Sequence, residues 1–429
     1  MQTNITPEHL AESDVRIAET ILRTCVHCGF CNATCPTYQL TGTELEGPRG
    51  RIYLIKSVLE DAIALKPSVV NHLDNCLSCL ACETTCPSGV RYGHLIDAAR
   101  QRITASGRRP LTERLQRWGL ARLLPNVRLS RLAMRLGVPA KLVAPLLPPR
   151  LRAMLRQSPA WLPRRSRLAR PGVKAAQGQR RARALLLTGC VQSIMGPHIN
   201  DASIRLLTRL GCEVVLPPDQ GCCGALPYHM GDTDVSLPLM GRLIRTWHEQ
   251  IAAGQIDMIV INTSGCGSVV RDYGHIFRDD PALAGQAAAV AALTIDISEA
   301  VARLGMPPEA LSSTPPLTVA YHDACSLQHG QQVRKPPREL LTQAGFRVAE
   351  VAEGHLCCGS AGPYHLLRPE TGAALGQRKA AHIEALAPDV VATGNIGCME
   401  QIGGHTRIPV VHTAELLDWA TGGPKPRRL

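Results

Sequence analysis

Eight cysteines near the start of the chain form two runs of identical spacing, Cys25-x2-Cys28-x2-Cys31-x3-Cys35-Pro36 and Cys76-x2-Cys79-x2-Cys82-x3-Cys86-Pro87. This is the bacterial iron-sulfur run. Thiolates spaced two residues apart let the backbone wrap one face of a cubane, and the fourth cysteine, before a proline that ends the loop, reaches the other cluster. By that crossed rule Cys25, Cys28, Cys31 and Cys86 hold one [4Fe-4S] cluster, and Cys76, Cys79, Cys82 and Cys35 hold the second. Two adjacent cubanes make a path for single electrons. A pair of four-cysteine zinc sites is the alternative, but it leaves the third cysteine and the proline of each run unexplained. Arg49, Arg51 and Lys56 are candidates to offset cluster charge, and His27 sits inside the first loop.

A second set of cysteines recurs in the C-terminal half: Cys190, Cys222-Cys223 and Cys266, then Cys325, Cys357-Cys358 and Cys398. Glycine flanks most of them, so the backbone can approach a cofactor closely. Neighbouring cysteines are a strained disulfide, which leaves ligands to a further cluster, zinc, or buried free thiols as open readings. His322-Asp323 and His355 lie near these cysteines as proton relays or loop hydrogen-bonding groups. Tyr228 and His229 offer no pattern, and Cys212, without a counterpart, reads as core.

The elements around these cysteines divide the chain in four. Residues 1–105 read as a helical ferredoxin-like domain: Thr6-Pro7-Glu8 starts a helix leading to Arg23, and Ile52, Ile55, Leu59 and Ile63 repeat at helical spacing. Residues 106–183 read as a basic helical connector interrupted by Pro125, Pro139, Pro145 and Pro148-Pro149. Its later part, 164–181, has too few apolar residues to pack and is expected to be a mobile linker. Residues 184–310 and 311–429 read as two copies of one α/β module, since Ala184–Leu187 is matched by Leu317–Ala320, Ile259–Ile261 by Val390–Ala392, and Leu293–Glu299 by Pro409–Glu415. The fold class is therefore multidomain α+β: a helical ferredoxin-like domain followed by a duplicated α/β cysteine-rich domain.

Composition agrees with a folded, redox-active protein. The 429 residues are 45% hydrophobic and 19% charged, with mean hydropathy −0.01, which excludes general disorder. Seventeen cysteines without a signal-peptide core or a membrane-length apolar run point to reduced thiols in the cytosol. The net charge of +12 is uneven: residues 101–183 hold 21 Lys plus Arg against one acid, Glu113. That segment is the candidate docking surface for an acidic partner or the anionic inner face of a membrane. Nucleic acid is not expected, because no aromatics interleave with the bases in a recognisable module. No dinucleotide, P-loop, zincin or nucleophile-elbow motif is present, so hydride chemistry is assigned to a flavin-bearing partner.

The strings Cys25-Val26-His27-Cys28-Gly29-Phe30-Cys31, Gly47-Pro48-Arg49-Gly50-Arg51-Ile52-Tyr53-Leu54-Ile55-Lys56, Cys82-Glu83-Thr84-Thr85-Cys86-Pro87-Ser88-Gly89-Val90 and two Cys-Cys-Gly motifs closely resemble the iron-sulfur subunit of bacterial glycolate oxidase, over essentially the full length. That resemblance implies a membrane-associated complex in which a flavin (FAD) subunit oxidises glycolate to glyoxylate and electrons leave through this chain toward quinone. Activity is not expected of the chain alone. Related architectures occur in lactate-utilisation proteins, the small subunit of anaerobic glycerol-3-phosphate dehydrogenase and heterodisulfide reductase. The last differs, because its modules end in C-x2-C whereas Val269 and Gln401 stand at the second place here.

Overall fold

In the computed structural model, residues 1–140, 162–308, 311 and 315–429 are described. The expected connector prolines Pro145 and Pro148-Pro149, and the expected module boundary at residue 310, lie outside them.

The N-terminal domain is a set of helices around one apolar cluster. Helix Ser13–Thr24 buries Val15, Ala18, Ile21 and Leu22, one stripe at helical spacing. Helix Tyr92–Ser106 brings Leu95, Ile96, Ala99 and Ile103 to the same cluster. Each such side chain stabilises the domain by about 1.5–3 kcal/mol. The expected long first helix is two: Thr6 caps Pro7–Leu10 by accepting from the His9 amide, and the chain restarts at Ser13. The helix carrying Ile52, Ile55 and Leu59 runs Pro48–Leu59, so Ile63 lies beyond its end.

Among the described residues nine strands form two sheets. The first contains β1 (Gly172–Lys174), β2 (Ala182–Leu187), β3 (Cys212–Leu216), β4 (Met258–Ile261) and β5 (Thr294–Asp296), in the order β1-β3-β2-β4-β5. The second contains β6 (Thr318–Tyr321), β7 (Arg347–Glu350), β8 (Val390–Thr393) and β9 (Val410–His412), in the order β7-β6-β8-β9. Apart from β1 the two orders are the same and every pairing is parallel. Leu185, Leu186, Val260 and Val391 are fully buried, as strands covered by helices on both faces require. The duplication extends to helix starts. Asp296 with Glu299, and His412 with Glu415, form capping boxes on Ile297–Leu304 and Thr413–Ala420.

The connector is only partly the expected helical linker. Helices Leu111–Leu123 and Val127–Ala140 form, but Gly172–Lys174 pairs antiparallel with β3, Leu168 and Ala169 pack on the sheet core, and β2 already begins at Ala182. Strand pairing uses backbone groups, so a segment poor in apolar side chains can still be held at a sheet edge. Residues 164–183 thus belong structurally to the first module.

Candidate metal centres

Both N-terminal cysteine loops have the same backbone. Left-handed residues fall two and four places after the first cysteine, His27 and Gly29 in one loop and Ser78 and Leu80 in the other. Alternating the backbone this way turns successive amides toward one centre, and the Ser78 amide donates to Cys76 Sγ at 3.3 Å. A leucine at positive φ is costly, which marks the second loop as a conformation imposed by its surroundings. Short helices, Phe30–Ala33 and Ala81–Thr85, then carry the chain to Cys35-Pro36 and Cys86-Pro87.

Cys25, Cys28, Cys31 and Cys86 line one small open cavity, and Cys35, Cys76, Cys79 and Cys82 line another. Pro48, Cys82 and Tyr92 form walls of both, so the two lie side by side. The donor chemistry fits iron: each cavity is lined by at least four thiols, and no carboxylate lines either. Burial pushes the Cys31 thiol up to about 11, and the Cys79 and Cys82 thiols well above their ordinary range. Without metal these thiols are protonated, and metal binding must release the protons.

Cations flank the cavities unequally. Arg49 lines the first and pairs with Glu44 at 2.6 Å. Arg51, 1% exposed, lines the second, donates to Thr37 and His72 and pairs with Glu46 at 2.7 Å. Lys56 does not share this role, because it pairs with Glu60, which caps the end of its helix, and lines neither cavity. His27 stands exposed at the rim of the first cavity.

In the modules the cysteines converge at strand ends. Cys190 Sγ lies 3.3 Å from Cys222 Sγ, and Cys325 Sγ 3.7 Å from Cys357 Sγ. Cys223 and Cys358 face Cys266 and Cys398 respectively. The glycine after each pair is obligatory: Gly224 and Gly359 have φ +75° and +88°, and a Cβ would come within 2.7 Å of Met240 Cγ and 2.5 Å of the Gly372 carbonyl. Gln401, at the place of a further cysteine, instead donates to the Gly372 carbonyl at 2.7 Å. Cys212 sits in the core on β3, its thiol pushed up to about 12 by burial.

The two modules meet the N-terminal domain differently. Cys357, Tyr364 and Leu375 share an apolar cluster with Leu77, Cys79 and Ala81 of the second cysteine loop, and Cys325 packs against it. The Tyr364 hydroxyl donates to the Asn75 carbonyl at 3.1 Å, and Thr84 Oγ1 bonds His329 Nδ1 at 2.7 Å. The first module approaches helix Tyr92–Ser106 through polar contacts: His229 Nδ1 lies 3.1 Å from Asp97, and His94 Nε2 3.0 Å from Asp272. Tyr228 and His229, patternless in isolation, belong to a repeat that sequence reading missed. Ala225-Leu226-Pro227-Tyr228-His229 answers Ala361-Gly362-Pro363-Tyr364-His365, directly after Cys-Cys-Gly in the first module and one residue, Ser360, later in the second. His322 and Asp323 do not form a relay with each other, since Asp323 is tied to Arg338. His355 is exposed, and its carbonyl faces His329 Nε2.

The family model described as a 4Fe-4S dicluster domain matches residues 21–90, and that of a cysteine-rich domain matches twice, at 184–271 and 319–403. The chain is 39% identical to the glycolate oxidase iron-sulfur subunit of Escherichia coli K12 over 421 residues, 98% of this chain and 99% of that one. It is 32% identical to the probable glycolate oxidase iron-sulfur subunit of Bacillus subtilis 168, covering 95% and 96%. Lactate utilization protein A of the same Bacillus is 28% identical across 98% of its own length but only 54% of this chain. With both domain types in place and likeness running nearly end to end, the chain belongs to the family of glycolate oxidase iron-sulfur subunits.

Proposed function

We propose that this chain is the electron-transfer subunit of a glycolate dehydrogenase, taking electrons from an FAD subunit that oxidises glycolate to glyoxylate and passing them toward a quinone. The observation that carries the reading is the pair of thiol-lined cavities sharing Pro48, Cys82 and Tyr92 as a common wall, a juxtaposition that suits single-electron exchange. Cys25, Cys28, Cys31 and Cys86 would hold one [4Fe-4S] cluster, and Cys76, Cys79, Cys82 and Cys35 the other. Such clusters supply one-electron redox chemistry at a potential set by charge, hydrogen bonds to sulfur and exposure. The chain's own part is to exclude water with Tyr92 and Pro48, to hold positive charge at Arg49 and Arg51, and to aim the Ser78 amide at sulfur.

Helices Leu111–Leu123 and Val127–Ala140 leave Leu111, Leu115, Trp118, Leu129, Leu132 and Leu136 exposed among arginines. Such a face suits peripheral contact with an anionic membrane surface. No helix among the described residues is long and apolar enough to cross a membrane.

Replacing Cys28 with Ser tests the relay. Glycolate should still reduce the flavin of the assembled complex, while dye reduction downstream falls to background; full dye reduction by the variant would end the proposal. Lactate offered in parallel separates the glycolate reading from that of a lactate complex.

A further inference from the structure

Each module presents four cysteines, but the second adds a histidine. His322 stands three residues ahead of Cys325, at the end of β6, where the first module has Leu187 three residues ahead of Cys190. Leu187 is an ordinary core residue, 1% exposed. His322 is equally buried, at 1%, yet neither ring nitrogen has a hydrogen-bond partner. An imidazole that surrenders water for nothing is expensive, and buried polar groups in native folds are almost always satisfied. The His322 ring nitrogen and the sulfurs of Cys358 and Cys398 lie within 4.8 Å of one another, all three residues buried. No other group of three His, Cys, Asp or Glu donors among the described residues is that close.

Charge points the same way. Lys379, 2% exposed, donates to the Glu353 carbonyl at 2.7 Å, and its ammonium is within electrostatic reach of Cys357, Cys358 and His322 as well as of the Glu353 and Asp323 carboxylates. Aligning Gly376 with Gly241 places Ile244 at this position in the first module, between the fully buried Leu243 and Trp247. A buried ammonium beside neutral thiols is unfavourable, whereas beside metal-bound thiolates it balances charge.

We propose that the second module binds a single thiophilic transition-metal ion, zinc or iron, through Cys358, Cys398 and His322, with Cys357 or Cys325 completing a tetrahedral set, and that the first module lacks this site. Two or three sulfurs and one nitrogen around one ion need donor atoms about 3.5–4 Å apart, as follows from metal-ligand bonds of about 2.0–2.3 Å. Cys357 qualifies by its contact with Cys358, and Cys325 by its contact with Cys357. Ligation satisfies one His322 nitrogen and adds thiolate charge beside Lys379, on the side where Cys357 and Cys358 lie.

The test uses the full chain, purified anaerobically with its N-terminal clusters intact. Zinc and iron per chain are measured, with X-ray absorption at the edge of whichever metal exceeds the cluster iron. One ion per chain is expected, bound by sulfur plus one nitrogen at about 2.0–2.1 Å if zinc. Zinc or mononuclear iron in that position each supports the site and identifies its occupant. His322→Ala and Cys398→Ser should lose the ion, and Cys266→Ser, in the first module, should keep it. His322→Cys, which preserves a donor, should keep the ion without the nitrogen scattering, separating ligation from a merely structural part. Absence of any such ion after growth with added zinc and iron would overturn the proposal. So would full occupancy in His322→Ala, or an all-sulfur shell in the unaltered protein. The cubane signals are read in the same samples, so their loss would count against the electron-relay reading without bearing on this ion.

Discussion

The two cysteine-rich modules share a sheet order, a capping-box position and four cysteine positions, yet they face different surroundings. The second lays Cys357 and Cys325 against the Leu77–Ala81 loop of the second N-terminal cavity. In the first, Cys190, Cys222 and Cys223 lie in an apolar cluster that includes no residue before Val127, and the module reaches the N-terminal domain through His229 and Asp272. Around the cysteines, Leu187 and Ile244 in the first module stand where His322 and Lys379 stand in the second. The cysteines alone therefore do not define a site. What surrounds them, polar in one copy and apolar in the other, decides what they can hold.

The comparison breaks most sharply at the cysteines. Replacing Cys79 with Ser is expected to reduce glycolate-dependent dye reduction to background, whereas Cys266→Ser retains most of it; equal losses would remove the distinction between the N-terminal cavity and the first module. A smaller effect is expected at the domain contact. Leu77→Ala deletes a side chain 6% exposed at the second module's contact and should cost about 2–4 kcal/mol in denaturant unfolding. His229→Ala, whose side chain is 34% exposed in its pair with Asp97, should cost about 1 kcal/mol or less.

The helix caps titrate differently in the two modules. Burial, opposed by hydrogen bonds from Ser298 and the charge of Arg271 and joined by Glu299, pushes the Asp296 carboxyl from 3.8 up to about 6. A raised acid favours its protonated folded form, so that stabilisation is complete below pH 3.8 and lost as pH rises through 6. Burial lowers His412 from 6.5 to about 4, with repulsion from His198 adding to it and hydrogen bonds to the Gly394 and Asn262 backbone opposing it. Its stabilisation is present above pH 6.5 and lost as pH falls through 4. Each shift corresponds to roughly 2–3 kcal/mol. Hydrogen exchange between pH 4 and 6.5 should show the Ile297–Leu304 helix start loosening as pH rises, whereas at the Thr413–Ala420 start burial raises Glu415 to about 7, so its loss offsets the gain from His412 and little net change is expected; equal loosening of the two starts would contradict these assignments. The smallest effect on stability belongs to the exposed helices. Leu115→Ser should change unfolding by no more than about 0.5 kcal/mol while lowering recovery with anionic vesicles.

Much of this was legible in the sequence because it is local or repeated. Spacing alone picks out the eight N-terminal cysteines, and all eight line one or other of two adjoining cavities, Cys82 lining both. Strand motifs reveal the duplication, whose matched strands hold equivalent places in both sheets. Less was legible where long-range contacts decide. Residues 172–174 join a sheet through backbone pairing that composition does not record. The packing of Cys79 against Cys357 joins residues nearly 280 positions apart. His322 looks like any loop histidine until its unpartnered burial beside Cys358 and Cys398 is seen. The repeated Ala-x-Pro-Tyr-His was readable, but only by aligning the modules past the Cys-Cys-Gly motifs.

The central claim, that the eight N-terminal cysteines carry two cubanes for electron transfer, is tested most directly by iron, zinc and acid-labile sulfide per chain, with electron paramagnetic resonance of the reduced protein. About eight cluster irons and about eight sulfides, with two interacting [4Fe-4S] signals, are predicted. Zinc filling the N-terminal sites, with no labile sulfide and no such signals, would contradict the account.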